Sequence, residues 1–547
     1  MRKIIIKVLI VLLLLACACT IFYLAPNYKA NYEVGKVNLI INNNNITYSL
    51  EHDVIIQDKI IYVSKEDMSV FFDYYINYNE QYNLVITTTE TVVASIEVGA
   101  NVININGEDF EIAASVIEVN DVLYVPISEM EQVYNIEVDY KENTSVVTVD
   151  SLDREQKKAT VTKNTTAKKL TKFLSRALDR LKTGDSVIYI SETEDGFVKV
   201  RTGNGRIGYI EKENLQNIEI VRVGADAHSR PMEEKINLVW DYYYAAPEDR
   251  SGQTIPGLNV ISPSFFELEQ MNASIIDKAD WNYIRWAKNK GYKIWPMFSN
   301  ASMIETTSYI LNDYKLRNKL IEDILELALY YDLDGINLDF EYMYEEDVNL
   351  YSRFVIELAP RLRAHGKVLS VDVTAPDGSS RWSLCYDRDV LAEAADYLVF
   401  MGYDQVGSDS PKASTIAGYD WVKSSLDKFI DEKREDVPAE KIILGCPFYT
   451  REWEEEDGIL VGSYTVDMKK IDIVVPEETE RIWDDRVKQY YAEYVIDGTT
   501  YKMWIEDERS LREKVKLVKE YNLAGAAFWE LDRESDGIWE MVKQELK

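Results

Sequence analysis

The sequence predicts an α/β protein: a C-terminal TIM (β/α)8 barrel with a small insertion between strands 7 and 8, preceded by two small β-rich modules. Three observations carry this. In residues 234–547, apolar runs end at Asp241, Pro263, Phe298, Glu341, Ala375, Asp404, Tyr449 and Glu530, and most are followed by helical periodicity such as Leu320, Ile321, Ile324, Leu325, Leu327 and Ala328. Eight strand–helix units in about 310 residues suit a barrel that typically needs about 250 residues plus insertions; the longest insertion is 454–503, and its acidic run Glu454-Glu455-Glu456-Asp457 reads most simply as a solvated loop face. All 11 Trp fall between Trp240 and Trp539, which sets this segment apart from the 239 residues before it. Residues 32 to about 150 instead show short alternating runs rich in Val and Ile, with Pro126 their only proline.

Composition agrees with several domains. A chain of 547 residues with 46% apolar content exceeds what one hydrophobic core organises. Four Cys in this length exclude a disulfide scaffold. With 61 Lys+Arg against 94 Asp+Glu, the formal charge of −33 repels polyphosphate and argues against a nucleic-acid partner.

Residues 1–30 are read as a targeting segment. Arg2, Lys3 and Lys7 precede the uncharged span Val8 to Leu24, whose length lies between a signal-peptide core and a minimal membrane helix. Both a cleaved signal and a retained anchor fit, and the anchor is preferred. Leu14-Leu15-Ala16-Cys17 also resembles a lipobox, with Cys17 as the lipidated residue. Positive charge before the span predicts a body outside the cytoplasm, at a bacterial cell surface. Cys385 and Cys446 are then the thiols available outside the membrane; one disulfide is open to them, with two buried small side chains as the preferred reading.

Residues 31–152 contain two stretches, Lys59 to Thr88 and Val122 to Val149, that share one plan: a strand, a short helix starting at Ser64 or Ser128, then two strands joined by a turn. The module resembles the copper amine oxidase N-terminal domain. Only His52 offers an imidazole there, so no metal is expected. Residues 157–222, with Leu181-Lys182-Thr183-Gly184-Asp185, Asp195-Gly196-Phe197-Val198 and Gly205-Arg206-Ile207-Gly208-Tyr209, resemble a bacterial SH3 domain whose glycines serve tight turns. Fourteen Lys+Arg against eight Asp+Glu make this module about +6, which suits contact with anionic cell wall as well as a merely solvated basic face.

The chemistry is expected on the fourth barrel strand, Asp334-Gly335-Ile336-Asn337-Leu338-Asp339-Phe340-Glu341-Tyr342. Period two puts Gly335, Asn337, Asp339 and Glu341 on the inner face and Ile336, Leu338 and Phe340 against the helices. Two acids without a basic partner on their strand are expensive inside a barrel, which points to function rather than stability. Neighbouring carboxylates share a proton, so Glu341, nearest the strand's C-terminal end, is the candidate general acid and Asp339 its orienting partner. About 7 Å apart along one strand, they do not flank a sugar ring on opposite faces. A nucleophile must come from elsewhere.

Asp334, Gly335, Asp339 and Glu341 match the Asp-Gly-x-Asp-x-Asp-x-Glu signature of the family 18 glycoside hydrolases, which the chain resembles. Met401-Gly402-Tyr403-Asp404, Leu444-Gly445-Cys446-Pro447-Phe448-Tyr449-Thr450-Arg451 and Gly525-Ala526-Ala527-Phe528-Trp529-Glu530 are similar to the family's sixth, seventh and eighth strand ends. The resemblance implies a retaining glycosidase acting on β-1,4 bonds after N-acetylglucosamine, in peptidoglycan or chitin-type glycans, with the substrate's acetamido oxygen as nucleophile. It implies Glu341, Asp339 and Tyr403 as catalytic, and Asn337, Met401, Asp404, Tyr449, Arg451 and Trp529 as substrate-binding. Asn337 departs from the usual Asp and is expected to alter the pH profile. Within the family the chain looks most like the spore-cortex and peptidoglycan-processing branch. No cofactor and no metal are implied. The alternative function class is a non-catalytic sugar-binding or wall-adhesion protein on the same barrel; the retained Glu341 argues against it.

Overall fold

The computed structural model describes residues 32, 35–172, 175–224, 232 and 234–547. The segment read as a signal or anchor, with Cys17, lies outside the described residues, as does His228. The chain divides into two compact units, one up to residue 228 and the other from residue 229 onward together with residues 90–92.

In the first unit the internal repeat read from the sequence is a structural repeat. Strand Ile60–Ser64, helix Lys65–Phe71 and strands Asn77–Asn79 and Leu84–Thr88 recur as strand Val122–Pro126, helix Glu131–Tyr134 and strands Ile136–Lys141 and Val146–Ser151. The two serines differ in use. Ser64 caps its helix, accepting a hydrogen bond from the Asp67 N–H at 3.0 Å. Ser128 accepts from the Ile61 N–H at 3.2 Å, so it ties the repeats together.

Residues 156–222 form a seven-stranded sheet around Ala159, Val161, Ala167, Leu181, Val187, Val198, Val200 and Ile210. Gly196 and Gly205 occupy left-handed turn positions, but Gly208 lies within a strand, where a Cβ would meet the Lys168 carbonyl at 2.9 Å. A buried ion pair, Arg201 Nη1 to Asp150 Oδ1 at 2.8 Å, joins this sheet to the repeat module.

The second unit is built on a closed, parallel eight-stranded barrel. Its strands are β1 (Ile236–Asp241), β2 (Val260–Pro263), β3 (Met297–Ser299), β4 (Gly335–Asp339), β5 (Val368–Val373), β6 (Tyr397–Met401), β7 (Ile442–Pro447) and β8 (Gly525–Trp529), with β8 paired to both β7 and β1. Pro296 interrupts the third strand. A short stretch before it, Lys293–Ile294, pairs with β2, while β3 itself pairs with β4.

Alternation sorts the side chains into two cores. Ile236, Leu238, Trp240, Trp295, Met297, Tyr397, Val399, Met401 and Ala527 fill the lumen. Ile336, Leu338, Phe340, Leu369, Val371, Leu398, Phe400 and Phe528 pack outward against helices such as Tyr314–Tyr330, whose buried stripe is Leu320, Ile321, Ile324, Leu325 and Ala328. Cys446 and Cys385 are free thiols buried in this outer core, as preferred from the sequence.

Two boundaries differ from the sequence reading. The connection from β7 to β8 carries a five-stranded antiparallel sheet running from Tyr449 to Ile505, wider than the span 454–503. The acidic run Glu454-Glu455-Glu456 is part of its strand Tyr449–Glu456 rather than a loop, and Glu455 pairs with Lys502 at 2.7 Å. Cross-strand pairing overrides the charge density that suggested a solvated loop.

Close approach fixes Gly335 at the base of β4. A Cβ there would lie 2.5 Å from the Val368 carbonyl and 2.9 Å from the Trp295 ring. Gly335→Ala is expected to lower unfolding free energy by about 1–3 kcal/mol through overpacking, read from the shift of the denaturant midpoint.

Candidate active site

β4 ends at Asp339, one turn of the pleat earlier than its sequence pattern predicts, so Glu341 stands just beyond the strand. Asn300 holds it there. The Glu341 N–H donates to Asn300 Oδ1 at 3.0 Å, and Asn300 Nδ2 donates to the Glu341 carbonyl at 2.9 Å. Asn300 is wholly buried, and its amide does for residues 340–341 what a neighbouring strand would otherwise do. At the other end of the strand, Asp334 accepts from Lys293 Nζ at 2.9 Å and from the Ile294 N–H at 3.1 Å.

Asn337 is the hub of the lumen. Its Oδ1 accepts from Trp240 Nε1 at 2.7 Å and from Ser262 Oγ at 3.2 Å; its Nδ2 donates to Ser370 Oγ at 3.1 Å and to Asp372 Oδ1 at 2.6 Å. One amide thus satisfies groups from β1, β2 and β5. Its role here is internal, since it is fully buried with all these contacts made by protein.

Above this layer, Asp339 and Glu341 are half-buried. Burial pushes the Asp339 carboxyl up to about 7. Burial pushes Glu341 well above the usual range, and the charges of Asp339 and Asp404 push it further in the same direction. Glu341 therefore binds its proton more tightly than an ordinary carboxyl.

Tyr403 and Asp404 follow β6. The Tyr403 ring meets Trp240 edge-on at 6.4 Å and Tyr449 at 6.3 Å, and its hydroxyl is raised by burial and by Asp372, Tyr449, Asp339 and Glu341. Asp404 accepts from the Tyr449 hydroxyl at 2.6 Å; burial raises its carboxyl, opposed by that bond and by Arg451. Trp529, half-buried at the end of β8, contacts Trp240 and Tyr242 with ring centroids 5.8 Å apart in each case.

The structure therefore gathers Asp339, Glu341, Tyr403, Asp404, Tyr449 and Trp529 at the C-terminal mouth of the barrel, with Asn337 buried in the layer beneath. Met401 sits deeper, packed in the lumen. Arg451 lies on the inserted sheet, donating to Ser463 Oγ at 3.3 Å and standing over Trp453, and reaches the site through its charge on Asp404. Four participants escaped the sequence reading: Asp372, Trp240, Asn300 and Tyr242. Asp372 carried a usable signal, because Ser370, Asp372 and Thr374 alternate with Val371 and Val373 as Asn337 and Asp339 alternate with Leu338. Asn300 carried none, since its partner is backbone from a different strand.

A (β/α)8 barrel with paired acids and an aromatic floor at its C-terminal mouth defines a glycosidase. Residues 239–534 match Glycosyl hydrolases family 18, and the chain belongs to that family. Residues 40–149 match the Copper amine oxidase N-terminal domain. Over 302 residues the chain is 27% identical to a glycosylase of Bacillus subtilis (strain 168), YvbX, covering 53% of this chain and 85% of that one. It is 24% identical over 245 residues to the cortical fragment-lytic enzyme of the same organism, covering 43% of this chain and 55% of the relative, so it spans about half that enzyme's length. A chitinase from Chromobacterium violaceum ATCC 12472 shares the barrel fold, with a TM-score of 0.50 at 24% identity over 57% of this chain and 99% of that one.

A carboxyl raised on folding weakens the native state once pH exceeds its unfolded value. For Asp339 the penalty is absent below about pH 4, grows through the range up to about 7 and is complete above it. Asp339→Asn is therefore expected to be more stable than the parent by about 2 kcal/mol or more at pH 8. The difference should vanish near pH 4, as read from urea denaturation at the two pH values.

Proposed function

We propose that the barrel is a retaining glycosidase that cleaves β-1,4 bonds after N-acetylglucosamine by substrate-assisted catalysis. The observation that carries this reading is the arrangement of Asp339 and Glu341: two acids two residues apart at the end of β4, of which Glu341 binds its proton more tightly than an ordinary carboxyl. Such a pair supplies an acid and a stabilising carboxylate but no nucleophile on the far face of the sugar.

In this reading the Glu341 carboxyl passes its proton to the glycosidic oxygen as the bond to the anomeric carbon breaks. The substrate's acetamido carbonyl oxygen attacks that carbon from the opposite face, giving an oxazolinium ion. Asp339, ionised, holds the acetamido N–H and balances the positive charge; the Tyr403 hydroxyl donates to the carbonyl oxygen. Water then attacks the anomeric carbon from the side of the departed sugar and gives a proton back to Glu341, so configuration is retained. Trp529 offers its ring to the apolar face of the sugar, and Asp404, Tyr449 and Arg451 bind hydroxyl groups at the rim.

The names of the relatives support two substrate classes, peptidoglycan from the cortical fragment-lytic enzyme and chitin from the chitinase. We favour peptidoglycan, which requires the enzyme to work outside the cytoplasmic membrane. The SH3-like reading of residues 157–222, with its local charge of about +6 in an acidic chain, supports a wall-contacting role for that module.

Glu341→Gln is expected to lower kcat on chito-oligosaccharides and purified peptidoglycan by about 10²- to 10⁴-fold with little change in KM, measured by mass spectrometry of products. A glycan stripped of its acetyl groups should resist the parent enzyme. Equal cleavage of the acetylated and deacetylated polymers would remove the substrate-assisted step, and binding without turnover by the parent would favour the sugar-binding alternative.

A further inference from the structure

The reading above leaves one buried acid without a task. Asp372 lies on β5, 2% exposed, facing the lumen. The parallel register of β4 and β5 pairs Asn337 with Ser370 and Leu338 with Val371, so the next residues along, Asp339 and Asp372, stand level on adjacent strands. Neighbouring strands lie about 4.8 Å apart, and both side chains point inward. This juxtaposition is as tight as a sheet permits.

The groups around Asp372 do not neutralise it. Asp339 and Glu341 approach from β4, Tyr403 from the end of β6, Trp240 from β1, and Tyr351 from the helix Val348–Arg363; among these described neighbours there is no Lys, Arg or His. Two carboxyl groups side by side in a dry lumen cannot both ionise, so they hold one proton between them. Asn337 settles which oxygen is involved. Trp240 Nε1 can only donate, which fixes Asn337 Oδ1 as acceptor and turns Nδ2 toward Asp372 Oδ1 at 2.6 Å. Oδ1 of Asp372 is thereby committed as an acceptor, leaving Oδ2 as the seat of the shared proton.

We infer that Asp372 is a positioning residue that shares a proton with Asp339 and so sets the pH at which Asp339 becomes the anion used by the reaction. When the pair holds its single proton on Asp372 Oδ2, Asp339 is a carboxylate; when the proton returns, Asp339 is neutral and Asp372 carries the charge. No proton enters or leaves the pair in that exchange. Burial and the charge of Asp339 both raise Asp372 well above the ordinary carboxylate range, in keeping with its being the holder at neutral pH. The catalytic half of this inference rests on the glycosidase reading, but the proton-sharing pair itself does not.

Asp372→Asn keeps the side-chain shape and an acceptor for Asn337 while removing the titrating group. In the parent the neutral Asp372 donates its proton to the Asp339 carboxylate and stabilises that anion, so with the donor gone Asp339 binds a proton more tightly and the acid limb of the kcat/KM profile should move to higher pH by about one unit, with KM within about threefold of the parent. The double variant Asn337→Asp with Asp372→Asn, which shifts the carboxyl from one strand to the other, should return it toward the parent. A purely structural Asp372 would alter melting temperature or KM and leave the limb in place. Independently of turnover, infrared difference spectra of the carboxyl band should show a protonated acid persisting at neutral pH in the parent and lost in part in Asp372→Asn. A limb and a carboxyl band both unchanged by that substitution would overturn the inference. An inactive parent with the expected infrared change would instead sink the glycosidase reading and leave the pair standing.

Discussion

The acids at the end of β4 and on β5 are organised by the cost of placing carboxyl groups where water is scarce and, among the described residues, no cation pairs with them. Asp339, Glu341 and Asp372 meet that cost through raised proton affinities and a shared proton rather than by pairing with Arg or Lys. Elsewhere the same protein uses the opposite solution. Arg250 spans Asp241 through two hydrogen bonds, Arg317 does the same with Glu357, and Lys514 meets Glu506 in complete burial. Those pairs are closed to chemistry because their charges are already matched. The acids on β4 and β5 retain transferable protons because, among the described residues, the lumen offers them amide, hydroxyl and indole partners rather than cations.

The scaffold around them removes freedom in layers. Asn337 joins three other strands through a single amide, so its orientation is dictated by Trp240 and transmitted to Asp372. Asn300 grips both sides of the Glu341 backbone after regular pairing has ended. Below, Gly335 lets β4 approach Val368 and Trp295 closely, and outside, Ile336, Leu338 and Phe340 lock the strand into the helical shell. Catalytic groups carried on a rigid strand and its first residues beyond are positioned more narrowly than groups on a loop, at the expense of native stability.

Much of this was legible because strand periodicity is strict. Alternation alone separated Asn337, Asp339 and Glu341 from Ile336, Leu338 and Phe340, and the cores bear out that separation for the residues within the strand. The repeat in residues 59–149 was equally visible, since strand, helix and turn patterns recur at matching positions. Reading failed where the partner is remote. The strand continued past Asp339 in the pattern because Phe340 and Glu341 keep the alternation, yet no neighbouring strand pairs with them. The acidic run after Trp453 looked like a loop because charge density hides the cross-strand contacts of an antiparallel sheet.

By itself the sequence determined the eight-stranded barrel, the inward face of β4 and the residues at its mouth, because these follow from periods of two and 3.6 and from short motifs whose geometry is local. Only the tertiary structure decided that Asp372 stands beside Asp339, that Asn337 is an internal hub and that Asn300 fixes Glu341. Strand register and barrel closure bring together residues 33 to 41 positions apart in the chain, and alternation can show which of them face inward but not which of them meet.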